Sequence, residues 1–477
     1  MRRALLVLLA LGVAPPAHAE QRLVTVETPS RFVDVTTAVF NGERPDVLKA
    51  NVLLPDGYDA DETRRWPVLY LLHGVGDTYA TMAKPENGDI LKTAKGFPGI
   101  IVMPEGGKGF YTDWFNGGRR GDPAWESYDR EELIPLIEKR FRIARGRANH
   151  AIAGISMGGM GATYLGSQRP DYFGSVATFS GFVNHQRETV QAGFGAVAGV
   201  DYEAIFGPIQ GEYASGHNPT KLAANLRHSN VLAITGNGAP QPGVESSPQA
   251  TAGGGVVEAE IYQQNEAFAA ALRGAGVEVD YRSRLGVHDW PYWRMMIPEA
   301  IEWGLFRAVP ANPTEWSYST IATRGRMWQL RFAFAAPPER VVTFVRDGET
   351  IRAEGEGAVT LADVRSGCKV ETTLPFDRSL PRADFDPTCG RLRVRLNRQR
   401  VRAGERSILV ATVTRRVKGE GDLPVQGAMV RTGDVSATTG SDGFATLRLR
   451  FTGRSKLRTI RATAEGLGRA RAIVRIG

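Results

Sequence analysis

The chain has 477 residues, too many for one ordinary domain. Apolar residues at 42% and charged residues at 23% are those of a folded globular protein and exclude a disordered or fibrous chain. The net charge of +8 is unevenly placed: residues 393–475 hold 19 Lys+Arg against 6 Asp+Glu, about +13, which leaves about −5 for the rest.

Residues 1–19 read as a secretory signal: Arg2-Arg3, an apolar run from Ala4 to Val13, then Pro15-Pro16 and the small-x-small Ala17-His18-Ala19. The run is too short to span a bilayer, and no later stretch is long and apolar enough to do so. The mature chain is expected to begin at Glu20, outside the cytoplasm or in the cell envelope.

Residues 20–309 read as one α/β domain. Val47–Leu54, Pro67–Leu72 and Gly99–Met103 are strand-like, and the second ends in His73-Gly74-Val75-Gly76. Trp125–Phe141 has helical spacing, and Pro135 predicts a kink or break within it. Val176–Phe179, Val231–Thr235 and Val277–Arg282 continue the strands, with helices at Ile261–Arg273 and Tyr292–Phe306. Strands alternating with helices predict a mostly parallel, doubly wound sheet whose ligands bind at the carboxyl ends of the strands.

The stretch Ala151-Ile152-Ala153-Gly154-Ile155-Ser156-Met157-Gly158-Gly159 is an apolar run that turns through Gly-x-Ser-x-Gly into a helix. This is the nucleophile-elbow pattern, in which the turn is so tight that its central serine stands exposed and its neighbours must be glycine. A serine nucleophile needs a base, and the base needs an acceptor for its second ring nitrogen. His288, in the loop after the last strand and flanked by Trp290, Tyr292 and Trp293, suits the base. The acid falls in the Gly/Pro/Ser-rich stretch between Thr235 and Ile261, which holds Glu245, Glu258 and Glu260; residue physics divides the choice between Glu258 and Glu260.

Val309-Pro310-Ala311-Asn312-Pro313 reads as a linker. Beyond it, Trp328–Phe334 alternates, and Val341–Val345 and Thr350–Ala353 flank an Asp347-Gly348 hairpin signal. A small all-β sandwich-like domain is expected over 314–392, closed by a Cys368–Cys389 disulfide as befits an oxidising compartment. A second, basic β module is expected over 393–477, with strands at Ser407–Val413, Ala428–Thr432 and Ala445–Phe451. Its charge predicts an anionic partner, an envelope polymer or acidic lipid; no nucleic-acid motif with interleaved aromatics is present. Neither a metal nor an organic cofactor is expected.

Residues 66–306 resemble the esterase D and mycolyltransferase branch of the α/β-hydrolases, which includes the secreted antigen 85 enzymes. The resemblance rests on four blocks in family order: Tyr70-Leu71-Leu72-His73-Gly74-Val75; Val102-Met103-Pro104 through Gly109-Phe110-Tyr111-Thr112-Asp113-Trp114; Gly154-Ile155-Ser156-Met157-Gly158-Gly159; and His288-Asp289-Trp290-Pro291-Tyr292-Trp293. It implies Ser156 as nucleophile, His288 as base, and Glu258 as the acid by ungapped count from Asn265 and Phe268. It implies the Val75 and Met157 amides as the oxyanion hole, with His73, Gly74, Trp114 and Trp290 against the substrate. The implied activity is a serine esterase or acyltransferase that passes an acyl group to water, a sugar or glycerol, on a small-molecule or lipid ester. The chain departs from the mycolyltransferases at His73, where they carry an acid, and at Gly76, where they carry arginine; His-Gly-x-Gly is the commoner esterase form. The last 85 residues are similar to the Ig-like or prealbumin-like modules of bacterial surface proteins. A hydrolase scaffold serving only to bind the cell envelope is the alternative from another class.

Overall fold

Short runs of β-branched and aliphatic residues with no polar alternation can be satisfied only by burial on both faces, and they build the centre of this protein. The structure, a computed structural model, describes residues 20–116, 123–348, 350–364, 369–379, 391–417, 421–451, 456–464 and 467–477. The signal stretch 1–19 and the Cys368–Cys389 pair lie outside the described residues.

Eight strands form one sheet: β1 (Arg22–Glu27), β2 (Lys49–Leu54), β3 (Val68–Leu72), β4 (Ile100–Pro104), β5 (His150–Ile155), β6 (Ser175–Phe179), β7 (Asn230–Gly236) and β8 (Val279–Arg284). Their order is β1-β2-β4-β3-β5-β6-β7-β8. β1 and β2 enter antiparallel, and pairing is parallel from β4 to β8. Along β3, Val68, Tyr70 and Leu72 pack into one apolar layer while Leu69 and Leu71 pack into the other, so helices cover both faces.

Two helices differ from the sequence expectation. The segment around Pro135 is not broken: Asp129–Leu133 winds as a π-helical turn between the helices Trp125–Tyr128 and Ile134–Arg140. Pro135 follows directly on this wider turn, which accommodates a residue without an N–H inside a continuous helix. The helix expected from Ile261 begins 13 residues earlier, at Pro248, and runs to Gly274. Ser247 caps it by accepting from the Ala250 N–H at 3.1 Å, a Ser-Pro start that the neighbouring glycines obscured.

Residues 315–379 form two four-stranded antiparallel sheets around a shared core containing Trp316, Tyr318, Phe332 and Phe344. This unit docks on the helix Met157–Gln168: Thr320 Oγ1 donates to Gln168 Oε1 at 2.9 Å and Tyr318 Oη to Gln168 O at 3.1 Å. Residues 391–476 form two further sheets around Leu409, Val430, Leu447 and Ile460. The strand Arg391–Leu396 pairs with Arg406–Val417. Among the described residues, no helix is long and apolar enough to cross a membrane.

Candidate active site

β5 is fully buried, and at its end the backbone reverses into the helix Met157–Gln168. The reversal places Ser156 at φ 54° and ψ −115°, a conformation that a residue with a Cβ adopts only under constraint. The flanking glycines are that constraint. A Cβ on Gly154 would lie 2.0 Å from Gly158 O, and one on Gly158 would lie 2.2 Å from Leu72 O. Met157 opens the helix, so its N–H is among those without an intrahelical partner. The loop after β3 passes alongside: a Cβ on Gly74 would lie 3.5 Å from the Ser156 Cβ.

Ser156 Oγ lies 2.8 Å from His288 Nε2, and His288 Nδ1 lies 2.5 Å from Glu258 Oε2. An ionised carboxylate can only accept, so the proton sits on Nδ1 and Nε2 is left to receive the serine proton. The other Glu258 oxygen accepts from Ser180 Oγ at 2.6 Å, Gly236 N–H at 2.6 Å and Thr235 Oγ1 at 3.1 Å. Burial would raise this carboxyl, but the bonds from His288, Ser180 and Gly236 outweigh it and hold Glu258 below the usual carboxylate range. Ser180 and Thr235 were not singled out from sequence; their place at the ends of β6 and β7, beside Ser156 on the carboxyl rim, was the available signal.

Glu260 points the other way. Two residues along a helix is a turn of about 200°, so only one of the two glutamates can face His288. Glu260 instead pairs with Arg187 Nε at 2.5 Å and accepts from Thr189 Oγ1 at 3.0 Å. Glu245 lies before the helix. Gly254 lets the helix press on the histidine loop: His288 N–H donates to Gly254 O at 3.1 Å, and a Cβ on Gly254 would lie 3.0 Å from His288 O.

Two expected substrate contacts are corrected. His73 is 1% exposed; its Nδ1 donates to Gly74 O at 2.8 Å and its Nε2 accepts from Gly106 N–H at 2.9 Å. With both nitrogens committed inside, it ties the Gly74 loop to the end of β4 instead of reaching a ligand. Trp114 is buried in the core, with Nε1 donating to Gly109 O at 3.2 Å. Trp290 heads the last helix, Trp290–Trp303, and stacks edge-on with Trp293, whose ring meets the His288 ring edge-on at 4.8 Å. Trp290 also hydrogen-bonds Asp77, four residues beyond His73, which joins the Gly74 loop to the histidine loop. Burial raises the Asp77 carboxyl to about 6. Among the described residues, no group of three His, Cys, Asp or Glu side chains is arranged to hold a metal ion.

A family model described as a putative esterase matches residues 44–303. An esterase of Mycobacterium tuberculosis is 31% identical over 207 residues, which is 40% of this chain and 43% of that protein. An endo-1,4-β-xylanase/feruloyl esterase of Xylanibacter ruminicola is 35% identical over 145 residues, 28% of this chain and 19% of that protein. The chain thus spans less than half the length of either relative. Among solved structures, the Mycobacterium tuberculosis MPT51 structure aligns with 60% of this chain and 99% of its own, at 21% identity and a TM-score of 0.47.

Proposed function

The chain belongs to the putative esterase family, and on that premise we propose that it is a serine carboxylic-ester hydrolase working through an acyl-enzyme on Ser156. The observation that carries this reading is the continuous chain Ser156–His288–Glu258, at 2.8 Å and 2.5 Å, with the acid fully buried and its second oxygen saturated. His288 Nε2 takes the Ser156 proton as Oγ attacks the ester carbonyl, and Glu258 steadies the imidazolium that forms. The amides of Val75 and Met157 receive the developing oxyanion. His288 then returns the proton to the departing alcohol, and the acyl-enzyme is resolved by the reverse sequence with water.

Resolution by water is favoured over transfer to a sugar or glycerol by one feature: the His73 side chain is turned into the protein and presents no polar group to an acceptor. The apolar stretch at 4–13 supports export, so the work is assigned outside the cytoplasm. The test is turnover of a chromogenic short-chain ester by the full chain and by Ser156→Ala, with and without added glycerol. Activity that disappears in the variant supports the reading. Normal turnover by Ser156→Ala would overturn it, and an acyl-glycerol product would replace hydrolysis with transfer.

A further inference from the structure

We propose that one outer sheet face of residues 391–477 is a docking surface for a bilayer containing anionic phospholipid. The inference rests on this module alone and not on the ester chemistry.

The five-stranded sheet runs in the order Arg400–Val401, Gly468–Ile476, Leu457–Ala464, Met429–Thr432, Val435–Thr438. Alternate residues Val430, Ile460, Ala462 and Val474 are buried in the core, which turns the residues between them outward. The register then sets Arg431 opposite Arg461 and Arg461 opposite Arg471. It also sets Arg400 beside Arg475. With Arg469 this makes six exposed guanidinium groups on one face, and none of the described residues there is acidic. The module's ion pairs among described residues, Arg393–Asp422 and Arg402–Glu405, lie elsewhere.

Like charges directly opposite across strands destabilise a sheet, and nothing described within the module offsets this arrangement. An external anionic surface would. Three large aliphatic side chains share the face: Met429, Leu457 and Ile473 are 50%, 53% and 52% exposed. A soluble polyanion gains little from bare aliphatic groups, whereas a bilayer interface takes up apolar side chains while its headgroups meet the guanidinium ions. Leu457 and Arg475 also line a half-open cleft of about 800 Å³ at the sheet edge, together with Arg398, Arg406, Lys456 and the Arg402–Glu405 pair. The surface around that edge is therefore still net basic and open to a headgroup phosphate.

The test is sedimentation of the full chain with vesicles of phosphatidylcholine alone or mixed with phosphatidylglycerol. Binding is expected only to the mixed vesicles. It should weaken as salt shortens the screening length from about 10 Å at 0.1 M to about 3 Å at 1 M. Each arginine near such a surface is worth about fivefold in binding, so combined Arg431→Gln, Arg461→Gln and Arg471→Gln should weaken it about a hundredfold. Ester turnover by that variant should be unchanged, and an unchanged thermal unfolding profile and circular dichroism spectrum of the full chain check that the module still folds. Leu457→Ser with Ile473→Ser should weaken binding while leaving the salt dependence. Equal pelleting with neutral vesicles, or full binding by the arginine variant, would overturn the proposal. So would full binding by the Ser variant together with displacement by dextran sulfate, which would identify a soluble polyanion as the partner. Ser156→Ala should bind vesicles like the parent, so failure of this surface and failure of the esterase reading are separable.

Discussion

Arg147 and Arg461 carry the same side chain and are treated in opposite ways. Arg147, between β4 and β5, is 4% exposed; its guanidinium donates to the carbonyls of Pro170, Phe173, His228 and Pro310 and lies 4.6 Å from the Trp328 ring centre. Burial lowers it to about 10, which leaves it charged at neutral pH. Arg461 stands exposed between two other arginines, with no described carboxylate in reach. The α/β unit turns groups such as Arg147 and Glu258 inward, where each meets several partners. The terminal module turns such groups outward, where a partner has to come from solution. Chemistry that depends on a desolvated, fixed proton relay belongs to the first kind of region, and recognition of a charged surface belongs to the second.

The largest effect expected from breaking the inward arrangement is Ser156→Ala, with a loss on the order of 10⁵ or more in kcat and little change in folding temperature, measured on a chromogenic ester. Next is Glu258→Gln, expected to lose about 10⁴ because the amide no longer fixes the His288 tautomer or stabilises its charge. Glu260→Gln is its control and should stay within about threefold, since a part-exposed pair with Arg187 is worth little. Equal losses in the two variants would erase the distinction drawn between the helix faces.

Asp77 sharpens the comparison through pH. Its folded value of about 6 exceeds the ordinary 3.8, so the folded state holds this proton more tightly than the unfolded chain does. The ionised form therefore costs stability: the cost is absent below about 4, grows as pH rises to about 6, and is complete above it, at about 2–3 kcal/mol. Asp77→Asn should flatten the unfolding temperature over that interval; an unchanged slope would sink this account. Smallest is Ser180→Ala, which removes one of four bonds to Glu258. About 1–2 kcal/mol of stability and roughly tenfold in kcat/KM are expected, with KM nearly unchanged.

Much of this was legible in the residues. The elbow, the order of serine and histidine, and the alternation of strand with helix all follow from local pattern, because a strand buried on both faces and a glycine-flanked turn leave few alternatives. The helix start at Pro248 is not legible because Gly253-Gly254-Gly255 reads as loop; glycine is costly in a helix, and here Gly254 lies against the His288 backbone and Gly255 against Gly238. His73 looked like a rim residue because it ends a strand, yet Gly106 N–H and Gly74 O draw it inside.

By itself the sequence determined that an elbow serine and a histidine would meet at one rim of a mostly parallel sheet, and that the terminal strands would be basic. Residue chemistry left Glu258 and Glu260 level and a family resemblance pointed to Glu258; the tertiary structure sets Glu258 against His288 and Glu260 against Arg187, because the two differ in helical phase and not in chemistry. It likewise decided that the arginines of three neighbouring strands fall in one row, since strand register is fixed by the alternation that buries Val430, Ala462 and Val474 and by long-range pairing that no local pattern specifies.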